Sequence, residues 1–221
     1  MDFKPAVSLT EQVANHLCDE IIAGRLAPCE RIQELKVARD LGVSRGSVRE
    51  ALLIVERRHL IRIIPRRGAI VSKLDASGVN ELTEFYAELL FMVFSRIAAD
   101  VAGNPRANQL DGLRCVLGNM NEHQEAQAID ALVSAKIAFC RAAIDLQSNT
   151  YLKSVLMDLT SAAHRIARRA ADHSHFDPRD VTRFARALLD AVIANDRVRL
   201  GELLRAHFRR EGSLALDAVI G

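Results

Sequence analysis

Apolar and polar positions along this chain follow two regimes. Between Pro28 and Val71 the periods are short and mixed. Val48, Ala51, Leu52 and Val55 recur at helical spacing and predict one buried helical face. Gly42 ends a shorter helix just before it, and either Ser44 or Ser47 caps the new one; Ser47 with Glu50 fits the spacing of a capping box. The β-branched runs Leu60 to Ile64 and Ala69 to Val71, on either side of Pro65-Arg66-Arg67-Gly68, predict a two-stranded wing. From Asp75 onward the pattern changes to amphipathic helices, expected at about 76–102, 106–121, 126–146, 149–172, 178–194 and 196–219. Gly103-Asn104-Pro105, Ser148-Asn149 and Phe176-Asp177-Pro178 mark the clearest breaks. The expected fold class is mainly α. An N-terminal winged helix-turn-helix with a small β wing (residues 1–74) precedes an all-α antiparallel helical bundle (residues 75–221), with the boundary near Leu74 to Ser77.

The polar positions of the first regime carry a chemistry. Arg45 and Arg49 stand four apart and so share a face away from the buried one, while Gly46 and Ser47 let the backbone approach a partner closely. Two guanidinium groups near a helix N-terminus suit phosphate oxygens and the paired acceptors of guanine in a major groove, into which an α-helix fits. Arg66 and Arg67 at a wing tip beside Gly68 can reach phosphates or a minor groove, with affinity that falls as salt rises. Two arginines alone would read equally well as a solvated basic helix. The turn, the caps and the wing together point to double-stranded DNA.

Charge agrees without deciding. Residues 1–74 hold 13 Lys and Arg against 9 Asp and Glu, a net of +4; residues 75–221 hold 17 against 19, a net of −2. That asymmetry gives only modest steering, so the motif names the partner. The length of 221 fits one or two domains, and the apolar share of 49% allows a substantial core. Cys18, Cys29, Cys115 and Cys140 show no CxxC or zinc-ribbon spacing, and no signal peptide precedes them, which suggests free thiols and a cytoplasmic protein. No apolar run approaches the roughly 18 residues needed to span a bilayer, so no membrane partner is expected.

Residues 8–74 resemble the winged helix-turn-helix of the GntR family of bacterial transcription regulators. The resemblance rests on LTEQVANHLCDEIIAGRLAPCERI as first helix and exit turn, on LGVSRGSVREAL, and on the wing RRGAIV. It implies DNA contacts by Ser44, Arg45, Gly46, Ser47 and Arg49 from the recognition helix, by Arg67 and Gly68 at the wing tip, and by Arg31. Two departures bear on turn geometry: the family usually has glycine where this chain has Cys29, and a glutamate-glycine pair where it has Arg58-His59.

The second half resembles the FCD ligand-binding domain of the FadR subfamily. The likeness is carried by ELTEFYAELL, SRIAADVAG, IAFCRAAIDLQSNTYL and LLDAVIANDRVRLGELLRAHF. It implies a small-molecule effector in the bundle and a homodimer whose two recognition helices read a palindromic operator. Many such domains hold a divalent metal through one aspartate and three histidines. Here the aspartate and first histidine align with Lys136 and Cys140, a second histidine with Ala185, and only His207 remains, so no family-type metal and no cofactor is expected.

Lys136 then has two readings. Its ammonium takes the metal's place and neutralises an acidic effector, an organic acid or acyl compound, with Cys140 and His207 beside it; or it snorkels out of the bundle. Asn149 matches a family position beside the pocket and equally suits a helix cap. Arg141, Arg165 and Arg169 pair with an effector carboxylate if they face inward, although RIARR also suits a solvated face. His207 shares a stripe with Leu200, Leu203 and Leu204, where a core role competes with ligand contact. The resemblance also places Ala87 and Phe91 where relatives carry an arginine and a glutamate, a less polar pocket. Phe85, Tyr86, Phe91, Met92 and Phe94 are too dense for one helical face, so part of the cluster must look away from its own bundle.

The function this implies is a DNA-binding regulator, by family default a repressor, whose operator affinity is controlled by the effector. Its rivals are a regulator whose bundle only dimerises and an enzyme with Cys140 as nucleophile and His164 or His207 as base. For the enzyme no local motif speaks.

Overall fold

The computed structural model describes residues 8–103 and 110–220. Two compact units divide between Leu74 and Asp75.

The first unit opens with α1 (Leu9–Ile22), capped by Ser8, whose Oγ accepts the Glu11 amide at 3.1 Å. Its inward residues Val13, Ala14, Leu17, Cys18 and Ile21 pack against α3 (Arg45–Arg57). Between them lie β1 (Arg31–Ile32) and α2 (Glu34–Asp40). Gly42, at φ 65°, takes the left-handed conformation that closes α2. Ser44 settles the capping alternative: its Oγ accepts the Ser47 amide at 3.0 Å. The Ser47–Glu50 box does not form, because with Ser44 at the cap Glu50 lies beyond the first turn and instead accepts from the Thr10 hydroxyl at 3.2 Å. Val48, Ala51, Leu52 and Val55 form the buried face of α3, as their spacing requires.

The wing holds β2 (Ile61–Ile64) and β3 (Gly68–Val71), but the sheet has a third strand. Its order is β1-β3-β2, antiparallel throughout, with Arg31 and Arg62 both opposite Ile70. A two-residue strand is too short for a periodic signal, which is why the sequence pattern shows only two.

The two departures at turn positions have a common outcome. Cys29 (φ 65°) and His59 (φ 61°) both adopt the left-handed conformation for which glycine is suited. Arg58 compensates at its own position by donating from Nη1 to Asn15 Oδ1 at 2.7 Å, tying the end of α3 to α1. The turns keep their shape at a conformational cost.

The second unit is all-α: α4 (Ala76–Gly103), α5 (Asp111–Glu125), α6 (Ile129–Asp145), α7 (Thr150–Ala170), α8 (Pro178–Ile193) and α9 (Arg197–Ile220). The expected start of α5 at 106, and most of the Gly103-Asn104-Pro105 break, lie outside the described residues. At its other end α5 continues past 121 to Glu125. The reversal is made there by Gln127, at φ 53°, with the Ala128 amide donating to the His123 carbonyl at 2.9 Å, a helix stop without glycine or proline. α9 packs along α4 and α7, and α6 and α8 complete a core of Tyr86, Leu90, Phe94, Phe139, Leu156, Leu188, Leu204 and Phe208. Each such fully buried side chain contributes about 1.5–3 kcal/mol. On α4, Tyr86 and Phe94 enter this core while Phe85 (52% exposed) and Met92 (44%) face away, seven residues apart and on one side of the helix.

A left-handed non-glycine residue costs about 1–2 kcal/mol, and glycine's extra unfolded-state freedom returns part of that. Cys29→Gly is therefore expected to raise stability by about 0.5–1 kcal/mol in urea unfolding.

Candidate nucleic-acid interface and bundle pocket

Arg45, Gly46 and Arg49 are exposed on the first turns of α3, and Ser47 is half-buried. The hydroxyls of Ser44 and Ser47 lie 2.9 Å apart, so each already has a partner. Arg49 does not stand free beside Arg45: its Nε donates to Glu34 Oε2 on α2 at 2.8 Å. This exposed pair is worth less than about 1 kcal/mol, so a phosphate can take the guanidinium over. At the wing, Arg66 (φ 64°) and Arg67 are exposed, and Gly68 turns the chain at φ 80°. Arg31 lies across that glycine, its Nε 3.7 Å from where a Cβ would stand, so the structure brings Arg31 to the base of the wing. Arg62 adds a cation that sequence patterning did not single out. The β1-β3-β2 register sets it in a row with Arg31 across Ile70, a row visible only once the third strand is known.

In the bundle, Lys136 is 1% exposed and donates to Glu211 of α9. It does not snorkel outward. Its charge is met by an internal carboxylate, and its Nζ also sits 5.6 Å from the Phe208 ring centroid. Glu211 escaped the sequence because a single glutamate in RREGS has the look of a solvated helix face. Beside the pair, His207 stacks on Phe184 with centroids 3.7 Å apart and planes 6° from parallel, and its Nε2 finds no hydrogen-bond partner. Burial, then the positive charges of Lys136 and Arg210, hold this imidazole well below its ordinary value and so neutral. Cys140 is buried in the same core, and burial pushes its thiol up to about 12 against the pull of Lys136. It stays protonated, neither a ready nucleophile nor a thiolate ligand. An ammonium, a protonated thiol and one imidazole do not fit a divalent cation, and among the described residues no group of three His, Cys, Asp or Glu side chains is arranged to hold a metal ion.

The remaining pocket candidates separate. Asn149 is the cap of α7, its Oδ1 accepting the Leu152 amide at 3.1 Å. Arg141 is exposed on α6. Arg165 is buried on α7, contrary to a solvated face; Arg168 pairs with Asp130 at 2.8 Å and Asp172 at 2.7 Å, and Arg169 with Asp172 at 3.2 Å and the Ala218 carbonyl. Tyr86 and Thr160 share a buried hydroxyl contact of 3.3 Å in the core. His164 is held down to about 4 by burial and then by Lys136, Arg141 and Arg168.

A capped recognition helix with a basic wing, in a chain whose second unit is an all-α bundle, defines a DNA-binding transcription regulator. Residues 9–71 match the family model for bacterial regulatory proteins of the gntR family, and residues 87–210 match the FCD domain. The chain belongs to the GntR family, in the branch that carries an FCD domain.

It is 25% identical to the HTH-type transcriptional regulator YdhC of Bacillus subtilis (strain 168) over 206 residues, 90% of this chain and 88% of that protein. It is 28% identical to the HTH-type transcriptional repressor RspR of Escherichia coli (strain K12) over 126 residues, 57% of this chain but only about half (51%) of that protein. The E. coli McbR/YncC structure superposes with a TM-score of 0.77 at 21% identity, covering 98% of this chain and 100% of that one, which shows the shared fold. No helix among the described residues is long and apolar enough to cross a membrane.

Removing one partner of a buried ion pair strands the other charge, at about 3–5 kcal/mol. Lys136→Met should lose that much stability in urea unfolding, and Lys136→Met with Glu211→Leu should regain most of it. A second expectation concerns pH. Unfolded, His164 titrates near 6.5; folded, near 4. Between these values the unfolded chain binds a proton that the folded chain refuses, so stability is full above pH 6.5 and falls as the pH drops towards 4. His164→Gln should make that part of a thermal-melting profile against pH less steep, with His207, also held below its ordinary value, supplying the slope that remains.

Proposed function

We propose that this chain acts in the cytoplasm as a homodimeric, effector-controlled repressor that binds a palindromic operator through α3 and the wing. The observation that carries this reading is the Ser44 cap, which fixes the first turn of α3 so that Arg45 and Arg49 project from one exposed face beside a wing with Arg66 and Arg67 at its tip. In this reading Arg45 and Arg49 read guanine edges or phosphates from the major groove. Ser44, Gly46 and Ser47 admit the DNA backbone, and Arg31, Arg67 and Gly68 follow the wing along the duplex.

Dimerisation is supported by the outward pair Phe85 and Met92 on α4, an apolar surface that a second copy would cover. Two winged helices related by a twofold then present the same surface to two half-sites. The repressor role is supported by the likeness to RspR. An effector in the bundle changes the placement of the two recognition helices in the dimer and so their joint fit to the operator, a coupling between two sites.

The experiment is fluorescence anisotropy with duplexes from the chain's own promoter region. Arg45→Ala should weaken binding by about tenfold to a hundredfold and relax sequence preference at one position, as loss of a base contact worth about 1–3 kcal/mol requires. Arg67→Ala should weaken all duplexes alike and lower the slope of log affinity against log salt by about 1. Undiminished, salt-insensitive binding by both variants would overturn the reading.

A further inference from the structure

We propose that Glu34 of α2, a residue outside the recognition helix, is the positioning residue that makes Arg49 a selective reader of guanine. The inference rests on the base-reading role given to Arg49 above and names what sets its selectivity.

The two side chains are unequally exposed. Glu34, in the first turn of α2, is 25% exposed and Arg49 is 65% exposed, so the cation is the outer member of the pair. The hold is on one edge: Arg49 Nε donates to Glu34 Oε2 at 2.8 Å, and Nη1 and Nη2 have no partner among the described residues. Glu34 reaches Arg49 from α2, which packs on α3, so the constraint comes from the supporting helix of the turn.

A guanidinium is a planar fork of five N–H donors. With Nε claimed, Oε2 narrows the orientations of that plane, and the two terminal nitrogens remain as a parallel pair of donors. Such a pair matches the O6 and N7 acceptors of guanine in the major groove.

Selectivity follows from a difference between two partners. A base edge accepts the fork in one orientation, and a side chain already held there has given up its rotamer freedom before binding; ordering a free one costs about twofold to tenfold in affinity. A phosphate accepts a guanidinium from many directions and gains little from the hold. Where a phosphate takes Nε as well, it leaves the Glu34 carboxylate unpaired beside a polyanion, which opposes binding. Glu34 thereby favours the operator over other sequences without itself touching DNA.

The test measures, on the full chain by fluorescence anisotropy, the ratio of affinities for a duplex from its own promoter region and for the same duplex scrambled. The guanine that Arg49 reads is located as the one whose replacement by 7-deazaguanine, which lacks N7, weakens the wild type but not Arg49→Ala. Glu34→Ala is expected to lower the ratio about fivefold and to shrink the 7-deazaguanine penalty. Glu34→Gln carries the same charge as that variant but keeps an acceptor at the same reach, and should restore at least half of the loss. In the Arg49→Ala background, Glu34→Ala should change the ratio by less than about twofold, because nothing is left to position. Equal losses in Glu34→Ala and Glu34→Gln would mean that the carboxylate acts by its charge alone and would overturn the proposal. An unchanged ratio in both variants, or an effect that survives without Arg49, would overturn it too. Each of these results leaves the base-reading role of Arg49 standing; if no guanine depends on Arg49, that role falls and this inference with it.

Discussion

The bundle is organised around a charge pair taken out of water. Lys136 of α6 and Glu211 of α9 are both buried, and each is tolerable there only because the other is present. An ammonium alone at that depth would shed its proton or recruit water; a carboxylate alone would do the reverse. Together they tie α6 to α9 at one point and shape the electrostatics of the groups nearby. The Lys136 charge disfavours protonation of His164 and His207, which leaves neutral imidazoles in the core, and it competes with burial at Cys140 without overcoming it. The Lys136 position is thus occupied by one half of the chain's own ion pair.

The DNA-reading unit obeys a different constraint, the precision of a short helix. Ser44 at the cap and Gly42 before it determine where α3 begins, and four apolar residues hold its inner face. The exposed polar face of α3 follows from that placement. Arg49 rests on Glu34 and the two serine hydroxyls rest on each other, so these three side chains already have partners within the protein. These contacts are weak and exposed, which makes exchanging them for phosphate oxygens inexpensive.

How far the sequence discloses all this depends on range. Local signals were readable: the buried stripe of α3, the glycine stop at Gly42, the β-branched wing strands and six bundle helices. The Ser47–Glu50 spacing matched a capping box that the structure does not use, since two serines three residues apart offer two caps and only tertiary context selects Ser44. The turn at Gln127 and the strand at Arg31–Ile32 lacked any breaker or period to announce them. In the bundle, Lys136 could be singled out by alignment, but its fate could not. Its partner lies 75 residues away in a stretch that looks like a solvated face, and a pair at that separation leaves no pattern in one sequence.

The most direct measurement is the 1H–15N spectrum of the lysine ammonium groups in uniformly labelled protein at neutral pH, with the Lys136 signal assigned by its loss in Lys136→Arg. The account predicts a slowly exchanging Lys136 ammonium, hydrogen-bonded to a carboxylate and shifted by Glu211→Gln. A Lys136 signal that exchanges with water as fast as the surface lysines, indifferent to Glu211, would contradict it.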